Sequence, residues 1–298
     1  MPSMSVRHHY LPQCYLKGFL DSDGYLHVYD KKERKFFSTK GTEDVFQEKH
    51  RNSIQSPMTG ERKDIFEGLY SEYDSLMAPL LKKIIESKHT APPPLDLDER
   101  WGMMLCLAHL HWRVPARDRQ GKDLIEKHGF RSSFFNIRHS ETGEPISNEM
   151  MKEISNFDGM DKAYKMGISF APFHKKSSYE SAQHWKFLYQ DPGFNITGDD
   201  PILRRQEVSD FGDILNEFVF PVSAGRTIIS NVFYPSRNPE HGFCLKVGIA
   251  IIEQAERFVC GNNMSYLQTL VQLHNQSKEV LENVGTSIMA YLYDEKRF

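Results

Sequence analysis

Two runs of apolar residues at helical spacing, one on each side of Ala91-Pro92-Pro93-Pro94, constrain this chain's fold more than any other feature. In the first, Ile65, Leu69, Tyr73, Leu76, Leu80 and Ile84 recur between Glu61 and His89, with Pro79 as an expected kink. The second starts from a cap at Asp96 or Asp98, carries Leu97, Trp101, Met104, Leu105, Ala108 and Trp112 on one stripe, and ends before Pro115. An apolar stripe must be covered, and extended segments supply the cover. Tyr25-Leu26-His27-Val28-Tyr29 and Phe36-Phe37 read as a hairpin turning between Asp30 and Lys35, and Phe218 to Pro221 with Arg226 to Ile229 as a second pair around Ser223-Ala224-Gly225. Trp185 to Tyr189, the turn Asp191-Pro192-Gly193, and Phe194 to Thr197 read as a further hairpin whose rim carries Asp199 and Asp200. A helix from Gly248 to Arg257, a strand at Phe258-Val259-Cys260 and a helix from Met264 to His274 follow. Residues 38–60 read as loop, and 116–184 as short helices and exposed loops. The expectation is an α+β fold, short β-hairpins packed with long amphipathic helices, in one domain over 1–298 with 91–95 as its candidate seam.

Composition narrows the function classes. Hydrophobic residues at 39% and aromatics at 12% are too many for a disordered chain, and a mean hydropathy of −0.54 with no long apolar run excludes a membrane span. Lys and Arg number 37 against 40 Asp and Glu, so any contact with nucleic acid must come from a local basic patch. Met1 to His9 is polar and basic, without the apolar core of a secretory leader, which points to the cytoplasm. Cys14, Cys106, Cys244 and Cys260 lie far apart with no Cys-x-x-Cys pair, a pattern of buried reduced thiols.

The candidate chemistry lies at two ends of the sequence. In Arg7-His8-His9-Tyr10-Leu11-Pro12, Pro12 suits the first residue of a short helix with Tyr15, Leu16 and Phe19 on one face, which sets the histidines at its N-terminus. Paired with Asp199 and Asp200, His8 and His9 would make a general acid–base site. Asp199 would then orient water or stabilise an oxocarbenium-like sugar, and a histidine would hold phosphate or polarise the leaving group. The structural alternative is a carboxylate capping a turn before proline and a histidine satisfying a backbone group. Arg7, Arg113 and Arg117 are candidates for an anion-binding edge, or for a basic helix end complementing its dipole. Tyr10 and Tyr15 are candidates to stack on a base, or core residues, and Asn195 is a candidate substrate contact. No metal is expected, because adjacent histidines diverge on extended backbone and His-Glu-x-x-His is absent; magnesium on Asp199, Asp200 and a further carboxylate is the alternative. The missing Gly-x-x-x-x-Gly-Lys and Gly-x-Ser-x-Gly patterns remove ATPase, kinase and serine-hydrolase readings.

Five motifs in order, His8-His9-Tyr10-x-Pro12-x-x-Tyr15-Leu16-x-x-Phe19, Val28-Tyr29-Asp30, Arg113-x-Pro115, Ile196-Thr197-x-Asp199-x-Pro201 and Phe220-Pro221-Val222-Ser223, resemble a widespread bacterial domain-of-unknown-function family with that His-His opening. Gly198 and Asp200 depart from it, standing where relatives carry Ser and Asn. The resemblance implies a phage-defence setting and nucleic acid as substrate. The sequence therefore yields three readings. The first is a DNA-directed, metal-independent hydrolase without cofactor, a glycosylase in which Asp199 stabilises, His8 or His9 contacts phosphate or leaving base, and Tyr10 or Tyr15 stacks. The second is a nuclease holding magnesium on Asp199 and Asp200, and the third a non-enzymatic binding or regulatory module.

Overall fold

A computed structural model describes residues 7–55, 60–88, 94–128, 138–139, 141–155, 159–190, 193–205, 211–230, 242–276 and 284–293. The chain opens with β1 (Arg7–His9) and α1 (Gln13–Leu16), which Pro12 caps rather than begins, and a 3₁₀ turn to Phe19. Tyr15, Leu16 and Phe19 are fully buried, as the spacing requires. The expected hairpin follows as β2 (Tyr25–Asp30) and β3 (Lys35–Lys40), paired antiparallel.

Where a loop was expected over 38–60, the described residues 38–55 hold strands. After β3 come β4 (Gln47–Lys49), paired with β1, and β5 (Ile54–Gln55), paired with β6 (Arg62–Lys63). The partner of β4 lies about forty residues upstream in sequence, and Gln47-Glu48-Lys49 has no apolar alternation to announce a strand.

The two long helices are α2 (Ile65–Glu86), which continues through Pro79, and α3 (Leu97–Arg113). α3 starts in a reciprocal capping box between Asp96 and Glu99. The helices pack on each other and share one core, so the candidate seam at 91–95 does not separate independent cores; Ala91-Pro92-Pro93 lies outside the described residues. The buried stripe of α2 is rotated from the expected one. Leu76 is exposed, while Phe66, Tyr70, Met77 and Leu81 face inward with Leu80 and Ile84. α3 is buried almost all round, which is why its polar residues Arg100, His109, His111 and Arg113 are enclosed.

Short helices fill the middle as expected: α4 (Asp118–His128), α5 (Asn148–Ser155), α6 (Met160–Ile168) and α7 (Lys176–Gln183). The hairpin expected between Trp185 and Thr197 does not form. β7 (Lys186–Tyr189) and β8 (Ile196–Gly198) belong to different sheets, and Asp191-Pro192 lies outside the described residues. β9 (Leu203–Arg204), β10 (Phe218–Ser223) and β11 (Arg226–Ile229) join β7 in an antiparallel sheet ordered β7-β11-β10-β9. Then come α8 (Phe243–Gln254), which begins five residues ahead of the expected Gly248, β12 (Phe258–Gly261), α9 (Met264–Gln276) and α10 (Val284–Tyr293). β12 sits between β2 and β8 in a second antiparallel sheet, ordered β3-β2-β12-β8. The architecture is α+β. One core joins the opening, α2, α3 and β10; another is built from α8, α9, α10, β8 and β12. All four cysteines are free, Cys106 and Cys260 buried and Cys14 and Cys244 half-buried. No helix among the described residues is long and apolar enough to cross a membrane.

Candidate functional site

The opening segment and the acidic pair both come to the C-terminal end of α3, but they meet different arginines there. Arg113 donates to the backbone carbonyl of His9 and pairs with Asp74 of α2 at 2.8 Å. Four residues on, Arg117 pairs with Asp200.

On the Arg113 side lies an open cleft of about 330 Å³, lined by His9, Gln13, Cys14 and Arg113 and by a polar stripe of α2. That stripe, Glu67, Ser71, Asp74, Ser75 and Ala78, runs at intervals of one, three and four, so one helix face delivers two carboxylates two turns apart. His9 Nε2 lies 3.1 Å from the carbonyl of Glu43, an acceptor only, so Nε2 carries the proton and Nδ1 keeps a lone pair. Burial, with help from the Arg113 charge, holds the His9 imidazole below its ordinary range and therefore neutral near pH 7. Burial pushes the Asp74 carboxyl up in spite of Arg113. Cys14 donates to the Asp74 carbonyl at 3.6 Å, and burial pushes its thiol up to about 11, so it stands in the cleft as a thiol and not as a nucleophilic thiolate.

His8, next in the chain to His9, points the other way on β1 and is fully buried. Its Nδ1 accepts the Asn52 backbone N–H at 2.9 Å, which ties β1 to the turn between β4 and β5. Asp64 and Glu67 stand 3.8 and 4.0 Å from its ring nitrogens, so the charges beside the His-His pair come from α2 and its cap rather than from the acidic pair of the sequence reading.

Asp199 and Asp200 are buried, 4% and 3% exposed, and neither lines the cleft. Asp199 accepts three backbone N–H groups, from Glu256 at 2.9 Å, Arg257 at 2.7 Å and Phe258 at 2.9 Å. It is a brace joining the end of β8 to the turn between α8 and β12, the turn-capping alternative. Burial pushes its carboxyl up, against the pull of those three donors. The carbonyl of Asp200 is held by the Gln254 side chain. With both Asp199 oxygens occupied and Asp200 salt-bridged, the pair is not disposed to ligate magnesium, and no group of three or more His, Cys, Asp or Glu among the described residues is arranged to hold a metal.

The remaining candidates divide in the same way. Tyr15 is fully buried, stacked on Phe220 at 5.0 Å, with its hydroxyl 2.6 Å from Thr197 Oγ1 and donating to the Pro221 carbonyl at 2.8 Å; it is not free to stack on a base. Tyr10 is 4% exposed, edge-on to Phe46 and beneath the Arg51 guanidinium. Asn195 is buried and donates to Ser223, Arg226 and Thr227, so it fastens the β10–β11 turn and does not reach a substrate. The arginines do not form one basic edge: Arg113 pairs with Asp74, Arg117 with Asp200, and Arg7 sits exposed on β1, 3.7 Å from Asp44. Sequence reasoning passed over Glu67, Asp74 and Gln13. Its signal was present as a polar stripe on α2, beside the apolar stripe that was read.

The sequence profile of the family described as protein of unknown function DUF4238 matches residues 7–264. The chain belongs to this family. The match takes in the β1–α1 segment, both arginine salt bridges and the Asp199 brace. No curated protein matches the chain, and no solved structure matches it.

Proposed function

We propose that the protein is a hydrolase of N-glycosidic bonds in nucleoside units, and that the reaction takes place in the His9 cleft rather than at the aspartate loop. The observation that carries this reading is the pairing of a neutral imidazole, its tautomer fixed by Glu43, with a wall bearing two carboxylates and one arginine already neutralised by one of them. Such a wall stabilises positive charge. It favours a transition state in which a sugar becomes an oxocarbenium ion, and it disfavours phosphoryl transfer, where negative charge must be gathered. His9 Nδ1 takes a proton from water as the water oxygen bonds to the anomeric carbon. Glu67 and the ion-paired Asp74 face the sugar cation, and the proton gained by His9 passes through solvent to the departing base nitrogen. The cleft volume lies at the lower end of the range for small-ligand sites, which suits one nucleoside or one flipped base.

The test is base release from free nucleosides and from oligonucleotides carrying modified bases, with chelator present, read by chromatography and by alkaline cleavage at abasic sites. The expected result is release that chelator spares and that His9→Gln and Glu67→Gln each lower by about a hundredfold or more. Release from nucleosides alone or from oligonucleotides alone identifies the source of the substrate. Failure with every substrate, or undiminished release in His9→Gln, overturns the proposal. Activity abolished by chelator would return the problem to the magnesium reading.

A further inference from the structure

The far side of the α3 terminus holds a second set of groups that the glycosidic reading does not use. His111, in the last turn of α3, is fully buried, and neither ring nitrogen has a hydrogen-bond partner among the described residues. Around it stand Arg117 from the 3₁₀ turn after α3 and Arg204 from β9, whose charges both reach the imidazole. Arg117 pairs with one oxygen of Asp200. The other oxygen, Oδ1, and the Nε atoms of Arg117 and Arg204 are buried and equally without partners.

The positions of these groups are fixed. β9 pairs with β10 through Arg204 opposite Phe218, Gln254 holds the carbonyls of Asp200 and Ile202, and Asp199 is braced by its three backbone donors. Buried polar atoms without partners among the described residues are therefore gathered in His111, Arg117, Asp200 and Arg204, groups whose charges reach one another. A buried donor or acceptor left unpaired is expensive, and several in one place mark the seat of something that pairs them. Two guanidiniums face one carboxylate, and burial and the neighbouring Arg117 charge push the Arg204 guanidinium down to about 10, the response of a cation short of a counter-ion. Asp199 is the nearest further carboxylate; it acts on Asp200, but its own oxygens are spent on the backbone of residues 256–258.

We propose that His111, Arg117, Asp200 and Arg204 form a binding site for a small protonated oxyanion of the phosphate class. The guanidiniums and an imidazole N–H donate to its oxygens, and its P–OH donates to Asp200 Oδ1. That last bond sets the selectivity. Hydrogenphosphate has a proton to give, whereas sulfate at neutral pH has none and would set an oxygen against the carboxylate. The Arg117 side chain is 17% exposed and Arg204 is half-buried, whereas His111 is fully buried, so an anion would reach the guanidiniums before the imidazole.

The test is calorimetric titration of the full-length chain, dialysed free of phosphate and sulfate, with inorganic phosphate and, separately, with sulfate at matched ionic strength. Phosphate is expected to bind at least about tenfold more tightly than sulfate. Arg204→Gln should weaken phosphate by a further tenfold or so, and Asp200→Asn should erase the preference over sulfate. Phosphorus NMR of phosphate with the unaltered protein gives a second readout should a variant fail to fold: broadening that excess unlabelled sulfate does not reverse supports the site. No binding of phosphate, equal binding of sulfate, or unchanged affinity in folded Arg204→Gln overturns it, and ordered water would then be what fills the gap. None of these readouts depends on base release, so either proposal can fail while the other stands.

Discussion

His9 and Asp199 are paired by sequence as candidates for one acid–base site, and the fold uses them in opposite ways. His9 has one nitrogen tied to a carbonyl and the other at an open cleft with only the Gln13 amide 3.5 Å away, whereas Asp199 has both oxygens committed to three backbone donors behind a wall of protein. The difference is one of spare valence and access rather than of residue type. A group whose lone pair meets only a long side-chain contact at a cleft can serve a reaction; one whose lone pairs are filled by backbone serves the fold. Four experiments test that contrast, each read first as stability.

The largest effect is expected at Asp199. Asp199→Ala leaves three buried N–H groups without an acceptor, and a loss of about 3–5 kcal/mol should appear in chemical denaturation. A loss under about 1 kcal/mol would mean that the brace is dispensable and would reopen a catalytic role for this carboxylate.

The next effect is a pH dependence set by imidazoles enclosed with α3. Burial takes His109 down to about 3 and His111 well below the ordinary value, so both are neutral in the folded chain, where His109 bonds to Ser169 at 2.8 Å. Below pH 6.5 the unfolded chain binds protons at these positions that the folded chain refuses, so stability falls as pH falls, by about 1.4 kcal/mol per unit for each imidazole. The raised carboxyls of Asp74, Asp199 and Asp200 act with opposite sign, because the folded chain takes their protons first as pH drops. Denaturation between pH 6 and pH 5 should show a combined loss of about 2–3 kcal/mol, and His109→Gln should remove close to half of the slope. A flat profile would show that the imidazoles are hydrated in the folded state.

What the sequence made legible follows from how local each signal is. The helix cap at Asp96, one of the two positions expected, the β2–β3 and β10–β11 hairpins, and the helical runs are written within a few turns of chain, and all appear in the structure. The pairing of β4 with β1, and the parting of β7 and β8 into separate sheets, depend on partners at long range, which periodicity does not encode. The candidate site fails in the same place. His8, His9 and Asp199 were identifiable as motif residues, but whether they meet depends on α2, whose polar stripe of Glu67 and Asp74 was masked by attention to its apolar one. The rotation of that helix, with Leu76 outward and Met77 inward, is what brings the two carboxylates to the cleft.

Tyr15 offers a smaller and cleaner comparison. Tyr15→Phe keeps the ring on Phe220 and deletes only the hydroxyl, leaving the Pro221 carbonyl and Thr197 without that partner, so about 1–2 kcal/mol should be lost while any activity at the cleft is unaltered. Unchanged stability together with weakened ligand binding would return Tyr15 to the role of a stacking residue.

The smallest stability effect belongs to Glu67, and its smallness is the point. Its Oε2 accepts the Asn52 side-chain amide at 2.6 Å, a bond that Glu67→Gln can keep through its amide oxygen, and about a third of the side chain is open to the cleft. Glu67→Gln should therefore shift stability by no more than about 0.5 kcal/mol. A carboxylate that the fold does not need, set two turns from Asp74 and beside a neutral imidazole, is retained for what enters the cleft. A stability loss of the size expected for Asp199→Ala would put Glu67 among the braces and leave the cleft without its cation-stabilising wall.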